Sequence, residues 1–249
     1  MNLEPEAGVR RPIGMIPRIV TSLAASILVA FTMAPSHATS NYEYAKDEFA
    51  IIRDGLAPTG KMSLASHGEG ELGDGDFHVW LMSEPEHRPI MALPDIGSDN
   101  NLDTAAEAYH AVWSQDARHV AVVFRTSRHE LALNLYSIEG GRARPLRAPN
   151  LFREVTSRDV ADRDERHGLI SGIEWRRGNR ILLREYQTFV VSDPAFLRLL
   201  GAYGRVKEKL DGGKLFVEFA AEADCVLDGH RRYRVINLRP GNPDQPPVW

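Results

Sequence analysis

Cysteine is nearly absent from this sequence, which contains a single one, Cys225, among 249 residues. One thiol cannot form an intramolecular disulfide, so no disulfide framework stabilises the fold even in an oxidising compartment. The surrounding segment FAAEADCVL is apolar and contains neither a basic residue nor a histidine that would activate the thiol. We therefore interpret Cys225 as a buried, unreactive side chain.

Catalytic signatures are also missing. The sequence contains no Gly-x-Ser-x-Gly elbow and no glycine-rich phosphate loop ending in Lys-Ser or Lys-Thr. His129-Glu130 lacks the second histidine of a helical zinc motif. These absences favour a non-catalytic binding or scaffolding protein. The alternative is an exported hydrolase or metal-dependent enzyme that uses the His, Asp and Glu residues of loops 67–78, 125–130 and 159–167.

Positive charge is too scarce for a nucleic-acid-binding protein. The chain carries 30 Lys and Arg against 34 Asp and Glu, a formal net charge of −4. Proteins that bind nucleic acids concentrate positive charge to neutralise phosphates. We therefore expect no nucleic-acid partner.

Charge is missing altogether from residues 19–34, which follow three arginines and precede Ser36-His37-Ala38. A basic start, a short apolar centre and small residues two apart predict a secretory signal peptide over 1–38, cleaved after Ala38. The apolar run is shorter than the roughly 17 to 25 residues of a membrane-spanning helix. We expect a soluble periplasmic or secreted product without a membrane span. The true start is Met1 or Met15, since Met15 gives a signal without the preceding acidic residues.

The chain after the signal is predicted to form one β-rich domain with additions at both ends. In segment 39–76, apolar residues at near-helical spacing predict a short helix or an ordered arm, followed by an acidic, glycine-rich loop. Segment 77–239 is predicted to be β-rich, with a helix near 194–210 that begins after the cap Asp193-Pro194. The segments KLFVEFAAEADCVL and RRYRVINLR predict a final hairpin. The proline-rich residues 240–249 predict a loose tail.

Short apolar runs separated by turn-type clusters dominate the β-rich segment. Four of them follow one another closely, at 108–113, 119–125, 131–138 and 143–148. So many strands in so short a stretch predict an antiparallel meander. A further unit at 168–192 again places a tryptophan before a turn, so that Trp113 and Trp175 hold matching places. We expect both indoles to pack inside one shared hydrophobic interior.

The segment AVWSQDARHVAV, from Ala111 to Val122, resembles the Trp-Ser-Pro-Asp-Gly-Lys-type blade repeat of the exported TolB-like and WD40-like β-propellers. Its continuation, NLYSIEGG followed by ARPL, is similar to the third and fourth strands of that repeat. Trp113 would close an inner strand, and Asp116 would cap a tight turn. Gln115 and Ala117 stand where the family has proline and glycine.

One full blade and two partial ones, at 77–94 and 168–192, predict a mainly β fold of antiparallel propeller-like meanders with one or two added helices. A closed propeller needs about four blades, so we expect an incomplete propeller. A β-sandwich or a barrel is the alternative. The repeat is a scaffold, so the resemblance supplies no catalytic residues.

The turn at 125–130 is the candidate ligand site. Arg125, Arg128 and His129 lie on a predicted hairpin tip and would hold an anionic ligand through bidentate hydrogen bonds. Alternatively, the arginines pair with Glu130 or with the acidic loop that follows 158 and serve only packing. The partner expected from the whole sequence is a protein or a small anionic ligand.

A calcium loop is the metal site that the sequence suggests most strongly. Asp159, Asp162 and Asp164 resemble the opening of such a loop, where hard oxygen ligands converge. Arg166, however, stands where a further oxygen ligand belongs. We therefore favour a solvated loop without a cofactor.

Overall fold

The described part of the chain is mainly β. The computed structural model describes residues 41–70, 75–158 and 165–248, and only the backbone of residues 165 and 166. Its strands are β1 (Ala50–Leu56), β2 (Met62–His67), β3 (His78–Ser83), β4 (Arg88–Gly97), β5 (His110–Trp113), β6 (His119–Ser127), β7 (Glu130–Glu139), β8 (Arg142–Leu146), β9 (Glu165–Arg176), β10 (Arg180–Val191), β11 (Gly204–Lys209), β12 (Leu215–Leu227) and β13 (Tyr233–Pro240). Two short helices, α1 (Leu151–Thr156) and α2 (Ala195–Leu200), interrupt them.

Three antiparallel strand groups follow one another along the chain. Group 1 consists of β1–β4, group 2 of β5–β8 and group 3 of β9–β13. Single parallel pairings, Arg53 with His110 and Glu130 with Leu169, join the groups into one mixed sheet. Group 2 confirms the predicted meander, and the final predicted hairpin is β12–β13.

Group 2 is buried on both of its faces. Along β6, Val120, Val122 and Phe124 belong to a core shared with group 1, which we call core 1. Ala121, on the opposite face, belongs to a core shared with group 3 and both helices, which we call core 2. The alternation follows from the two-residue period of a strand. The three groups therefore lie face to face as layers, with two cores instead of the single interior that we expected.

The turns after β1 and β5 have the same hydrogen bonds. The Ala57 N–H donates to the Met62 carbonyl (2.9 Å), and the Gly60 N–H donates to the Ala57 carbonyl (2.8 Å). Residues 114–119 repeat both bonds at the same spacing, each 2.9 Å long. Gly60 and Ala117 take the left-handed conformation at the same place, with φ of 65° and 55°. The repeating unit thus begins at Ala50, upstream of residue 77, where the β-rich segment was expected to start.

The two tryptophans make equivalent bonds between groups. Trp113 Nε1 donates to the Gly55 carbonyl of β1 (3.1 Å), and Trp175 Nε1 donates to the Val112 carbonyl of β5 (2.8 Å). Each indole is partly buried, Trp113 at core 1 and Trp175 at core 2. The first strand of each later group is therefore tied to the first strand of the group before it.

The prediction of a helix near 194–210 is wrong for the residues after Leu200. α2 ends at Leu200, where Gly201 follows with a φ of 51°. Residues 204–209 form β11 instead, because the free edge of β12 offers backbone partners such as Phe219 opposite Gly204. Asp193 does cap the start, since its carboxylate accepts the Ala195 N–H (2.8 Å). No helix among the described residues is long and apolar enough to cross a bilayer.

Both ends of the described chain differ from expectation. The apolar residues from 50 to 56 form β1 rather than a helix, and residues 41–49 run before it without helix or strand. At the other end, the tail is held against group 3. Two bonds join Arg205 to Asp244 (2.6 and 3.2 Å), and the Gly241 N–H donates to the Ala220 carbonyl (2.9 Å). The predicted signal peptide lies outside the described residues.

Candidate functional site

Turns of groups 2 and 3 meet at one end of their strands. Arg231 of group 3 donates through Nη2 to the carboxylate of Glu139 in group 2 (3.3 Å), and the Arg147 N–H donates to the Arg231 carbonyl (2.9 Å). We call this end the turn face and define it as residues 114–119, 139–144, 174–180 and 228–234.

The turn face is strongly basic, in contrast to the acidic chain as a whole. Its carboxylates are Asp116, Glu139, Glu174 and Asp228. Its arginines outnumber them by nine to four and are Arg118, Arg142, Arg144, Arg176, Arg177, Arg180, Arg231, Arg232 and Arg234. An anionic partner is therefore attracted to this end of the molecule.

Most of these arginines form an ion pair with a carboxylate of the turn face. Glu139 pairs with two of them, Asp228 with two more, and Arg176 binds Glu174 at 3.0 Å. The side chains of Arg142, Arg177 and Arg180 make no ion pair or hydrogen bond within the described part of the chain. All three are exposed. Their guanidinium groups are thus available to an anion.

A cavity of about 390 Å³ opens in the turn face, between the turn after β5 and the turn after β9. Arg177 and Arg180 line it, together with Trp175, His119 and Tyr233. Its volume lies at the lower end of the range of about 300–1,000 Å³ that is typical of small-molecule sites.

Two stacked rings form one wall of the cavity. The imidazole of His119 lies against the indole of Trp175, with ring centroids 5.5 Å apart and planes at 29°. Burial lowers the pKa of His119. The imidazole is therefore uncharged near neutral pH, and the wall presents flat, weakly polar surface.

Asp116 caps the turn on the opposite side, as predicted. Its carboxylate accepts the Ser114 hydroxyl (2.7 Å) and the Arg118 N–H (3.1 Å). The Ser114 hydrogen bond holds the pKa of this carboxyl below its usual range. Asp116 is consequently ionised and repels an anion on its own side of the cavity, which leaves the side of the β9–β10 turn as the anion position.

Tyr233 and Ser114 are the buried residues with a hydroxyl in the cavity lining, and Tyr233 is the more buried of the two. It is only 2% exposed, yet its hydroxyl has no hydrogen-bond partner among the described residues. Burial raises its pKa to about 12, so the hydroxyl stays protonated. The hydroxyl oxygen itself has no accessible surface and lies near Cys225 in core 2, so it does not face the cavity.

The predicted hairpin site lies at the other end of β6. The Nε and Nη2 atoms of Arg125 donate to the carboxylate of Asp103, each at 2.8 Å, and Asp103 is almost fully buried. Asp103 is a partner of Arg125 that the sequence analysis did not name. Arg128 and His129 are exposed on the β6–β7 turn. The ligand role of Arg125, Arg128 and His129 stays a prediction.

The calcium proposal cannot be compared with the structure, because Asp159, Asp162 and Asp164 lie outside the described residues. Across 41–70, 75–158 and 165–248, no three His, Cys, Asp or Glu side chains converge as a metal site requires. Calcium binding stays a prediction.

One cluster has the residue types of a hydrolytic triad, but in the wrong order. The Ser63 hydroxyl donates to Glu84 (2.6 Å), and the same carboxylate oxygen contacts His87 Nδ1 (2.9 Å). The acid thus separates the serine from the histidine, whose Nε2 bonds to the Phe49 carbonyl (3.0 Å). Ser63 is fully buried. A nucleophilic serine needs the histidine beside it, so this cluster serves structure.

No protein-family model, no curated protein and no solved structure matches this chain. The candidate site therefore depends on its own geometry. The sequence analysis placed a turn after Trp175 but assigned it no function. The usable signal was the match of Trp113 with Trp175, because a repeat brings equivalent turns to the same end of the fold.

Proposed function

We propose that this chain is an exported, non-catalytic binding protein that recognises an anionic ligand on its turn face. The mature form would begin at Thr39 and act in the periplasm or outside the cell. In this proposal, the three strand groups are blades of an incomplete propeller of the TolB-like or WD40-like kind.

The repeated backbone supports the propeller-like frame. The turns that follow β1 and β5 share two hydrogen bonds and a left-handed residue, and the indoles of Trp113 and Trp175 make equivalent bonds to the preceding group. Rigid β frames commonly carry their function in the turns that they display.

The observation that carries the binding role is the pair Arg177 and Arg180. Neither guanidinium group has a carboxylate partner in the part of the chain that the structure describes, and both line one cavity, in a turn face where the other cations are mostly neutralised. A charge-assisted hydrogen bond contributes roughly 1.5–3 kcal/mol. Two such groups suffice for selective recognition of an anion.

The binding role is tested by isothermal titration with citrate, inorganic phosphate and poly-L-glutamate at low ionic strength. The double variant R177A/R180A should weaken binding by more than tenfold. The matched control R88A/R198A removes two exposed arginines elsewhere and should change binding less than twofold. Equal losses in both variants would mean that net charge alone, and not this site, attracts the anion.

Export is tested separately by sequencing the N-terminus of the protein isolated from its native envelope. The expected first residue is Thr39. An uncleaved chain recovered from the cytoplasm would overturn the export part of the proposal and leave the binding part standing.

A further inference from the structure

We infer that the turn face binds an extended acidic segment of a partner protein, in which carboxylates alternate with apolar side chains. This inference rests on the proposed function and names the class of anion for that face. Three features of the face support it: unpaired charge in two strand groups, a second cavity beside the first, and apolar surface in both cavities.

The unpaired arginines lie at two turns, one in each of two strand groups. Arg142 lies at the β7–β8 turn of group 2, and Arg177 and Arg180 lie at the β9–β10 turn of group 3. None of the three side chains has an acidic partner among the described residues, and all are exposed. A small anion held by the β9–β10 turn alone would leave Arg142 unpaired, whereas a longer ligand engages both turns.

The β12–β13 turn connects these two turns. Arg231 of this turn donates to Glu139 beside the β7–β8 turn (3.3 Å), and the Leu227 N–H donates to the Asn179 carbonyl of the β9–β10 turn (3.0 Å). The turn face as a whole holds nine arginines and four carboxylates, an excess of five positive charges. One small anion neutralises only part of this excess, whereas a segment with several carboxylates complements it.

A second cavity, of about 520 Å³, lies beside the first at the β9–β10 turn. Arg176, Arg177 and Arg180 line both cavities. The first cavity extends towards the turn after β5, and the second extends towards β12 and β13, where Asp224 and Ile236 line it. The same arginines therefore serve two recesses, and a chain that passes over the turn occupies both.

Both cavities present apolar surface beside their arginines. Trp175 and the uncharged imidazole of His119 form the stacked wall of the first cavity. Ile236 lines the second cavity and is 51% exposed. Burial of such surface stabilises a complex, so apolar residues between the carboxylates of the partner add affinity that a purely charged chain lacks.

The carboxylates of the two cavities favour a peptide over a nucleic acid. Asp116 lines the first cavity and Asp224 the second. Hydrogen bonds from Ser114 and Asn237 hold the pKa of these two carboxyls below the usual range, so both are ionised at neutral pH. A nucleic acid carries a negative charge at every phosphate, whereas a peptide places neutral residues opposite these two carboxylates.

The test is a calorimetric titration of the full chain with four probes: the blocked peptide EEFEEFEE, octaglutamate, citrate and an eight-nucleotide oligothymidylate. Packed sheets lie about 10 Å apart and eight extended residues span about 26 Å, so the peptides reach across the turns of both groups. We expect EEFEEFEE to bind about tenfold more tightly than citrate and about threefold more tightly than octaglutamate. The oligothymidylate should bind more weakly than either peptide.

Three variants assign the affinity to the surface described above. Arg142→Ala should weaken EEFEEFEE by about threefold and citrate by less than about twofold, because only the peptide reaches the β7–β8 turn. R177A/R180A should weaken both by more than about tenfold. Ile236→Ser should remove part of the preference for EEFEEFEE over octaglutamate. The control Arg198→Ala removes an exposed arginine on α2 and should leave all four probes unchanged.

The outcomes separate this inference from the proposed function. If R177A/R180A weakens citrate but EEFEEFEE binds no better than citrate and is unaffected by Arg142→Ala, the acidic segment is wrong and the binding role stands. If the oligothymidylate binds as tightly as EEFEEFEE, the face does not select a peptide and the inference fails. If R177A/R180A leaves binding of every anion unchanged, both proposals fail. A thermal unfolding curve of each variant identifies any that does not fold.

Discussion

The two boundaries between strand groups have the same backbone plan and different side chains. At the first boundary, Trp113 bonds to Gly55, and Met62 follows the turn and packs into core 1. At the second, Trp175 bonds to Val112, and His119 takes the place of Met62 and stacks on the indole. The basic cavity lies at the second boundary. A repeated frame has thus acquired a candidate site through substitutions in its turns, without a change in the frame itself.

The cores behind the two boundaries differ as well. Core 1 contains a stack in which Tyr109 lies between Phe77 and Phe124, with centroids 5.3 and 5.7 Å apart. Core 2 is larger because α1 and α2 pack into it. The start of α1 is held by Glu185, whose buried carboxylate accepts the Leu151 and Phe152 N–H groups (2.9 and 3.1 Å). This use of the carboxylate as a helix cap explains a buried acid that would otherwise be costly.

The largest effects are expected from breaking one core at a time. Phe219→Ala in core 2 and Phe124→Ala in core 1 should each lower the free energy of unfolding by about 3–5 kcal/mol, because both side chains are fully buried. Urea unfolding of either variant should remain a single transition, since group 2 contributes to both cores. Two separate transitions would show that the cores are independent.

Substitution of either tryptophan should have a smaller effect on stability, and only one of the two substitutions should affect binding. Trp113→Phe and Trp175→Phe each delete one hydrogen bond to the preceding group, which is worth about 1 kcal/mol of stability besides the lost packing. Only Trp175→Phe should also weaken binding of citrate or inorganic phosphate to the turn face, because Trp175 lines the cavity. Equal binding losses in both variants would remove the functional difference between the boundaries.

His119→Met gives the second boundary the same residue type as Met62 at the first boundary. This substitution should change how the stability of the protein depends on pH. Burial lowers the pKa of His119 in the folded state, so the unfolded chain binds the proton more readily. Wild-type stability should therefore fall, relative to His119→Met, as pH decreases below about 6.5. Urea midpoints of both proteins between pH 7.5 and 5 measure this. The exposed substitution His129→Met is the control, and parallel curves for wild type and His119→Met would contradict the assignment.

The smallest change is expected at Cys225, in core 2 near the second boundary. Burial raises its pKa to about 12, and the thiol has no measurable exposure. A thiol reagent at pH 8 should leave the folded protein unmodified and label one thiol per chain in urea. Labelling of the folded protein at the rate of a free thiol would show that core 2 opens readily.

Local patterns predicted the strands of group 2 and the final hairpin correctly, because alternation and turn residues are visible within a few positions. They failed where the partner lies far along the chain. The apolar residues from Phe196 to Leu210 have helical spacing, but β12 offers an unpaired edge to residues 204–209, and Gly201 ends α2. β2 was missed because its sequence, MSLASH, looks polar, although both serines are buried.

The candidate site could not be read from the sequence for a similar reason. In the sequence, Arg177 and Arg180 are two of several arginines in one turn. They matter because no carboxylate of the described residues pairs with them. Glu139, Glu174 and Asp228 engage the neighbouring arginines instead. Side-chain distances across three turns decide which arginines have no carboxylate partner. No local sequence pattern contains that information.

The outward side of group 3 carries bridged charges where group 2 carries packed hydrocarbon. Arg184 links Glu174 and Glu222, Arg239 binds Glu222 and Asp224, and Glu218 accepts from Arg205, Lys207 and Tyr186. Another layer stacked there would strip water from this lattice of ions, at a cost of several kcal/mol for each ion. These charges therefore disfavour the packing of a further layer on the outward face of group 3.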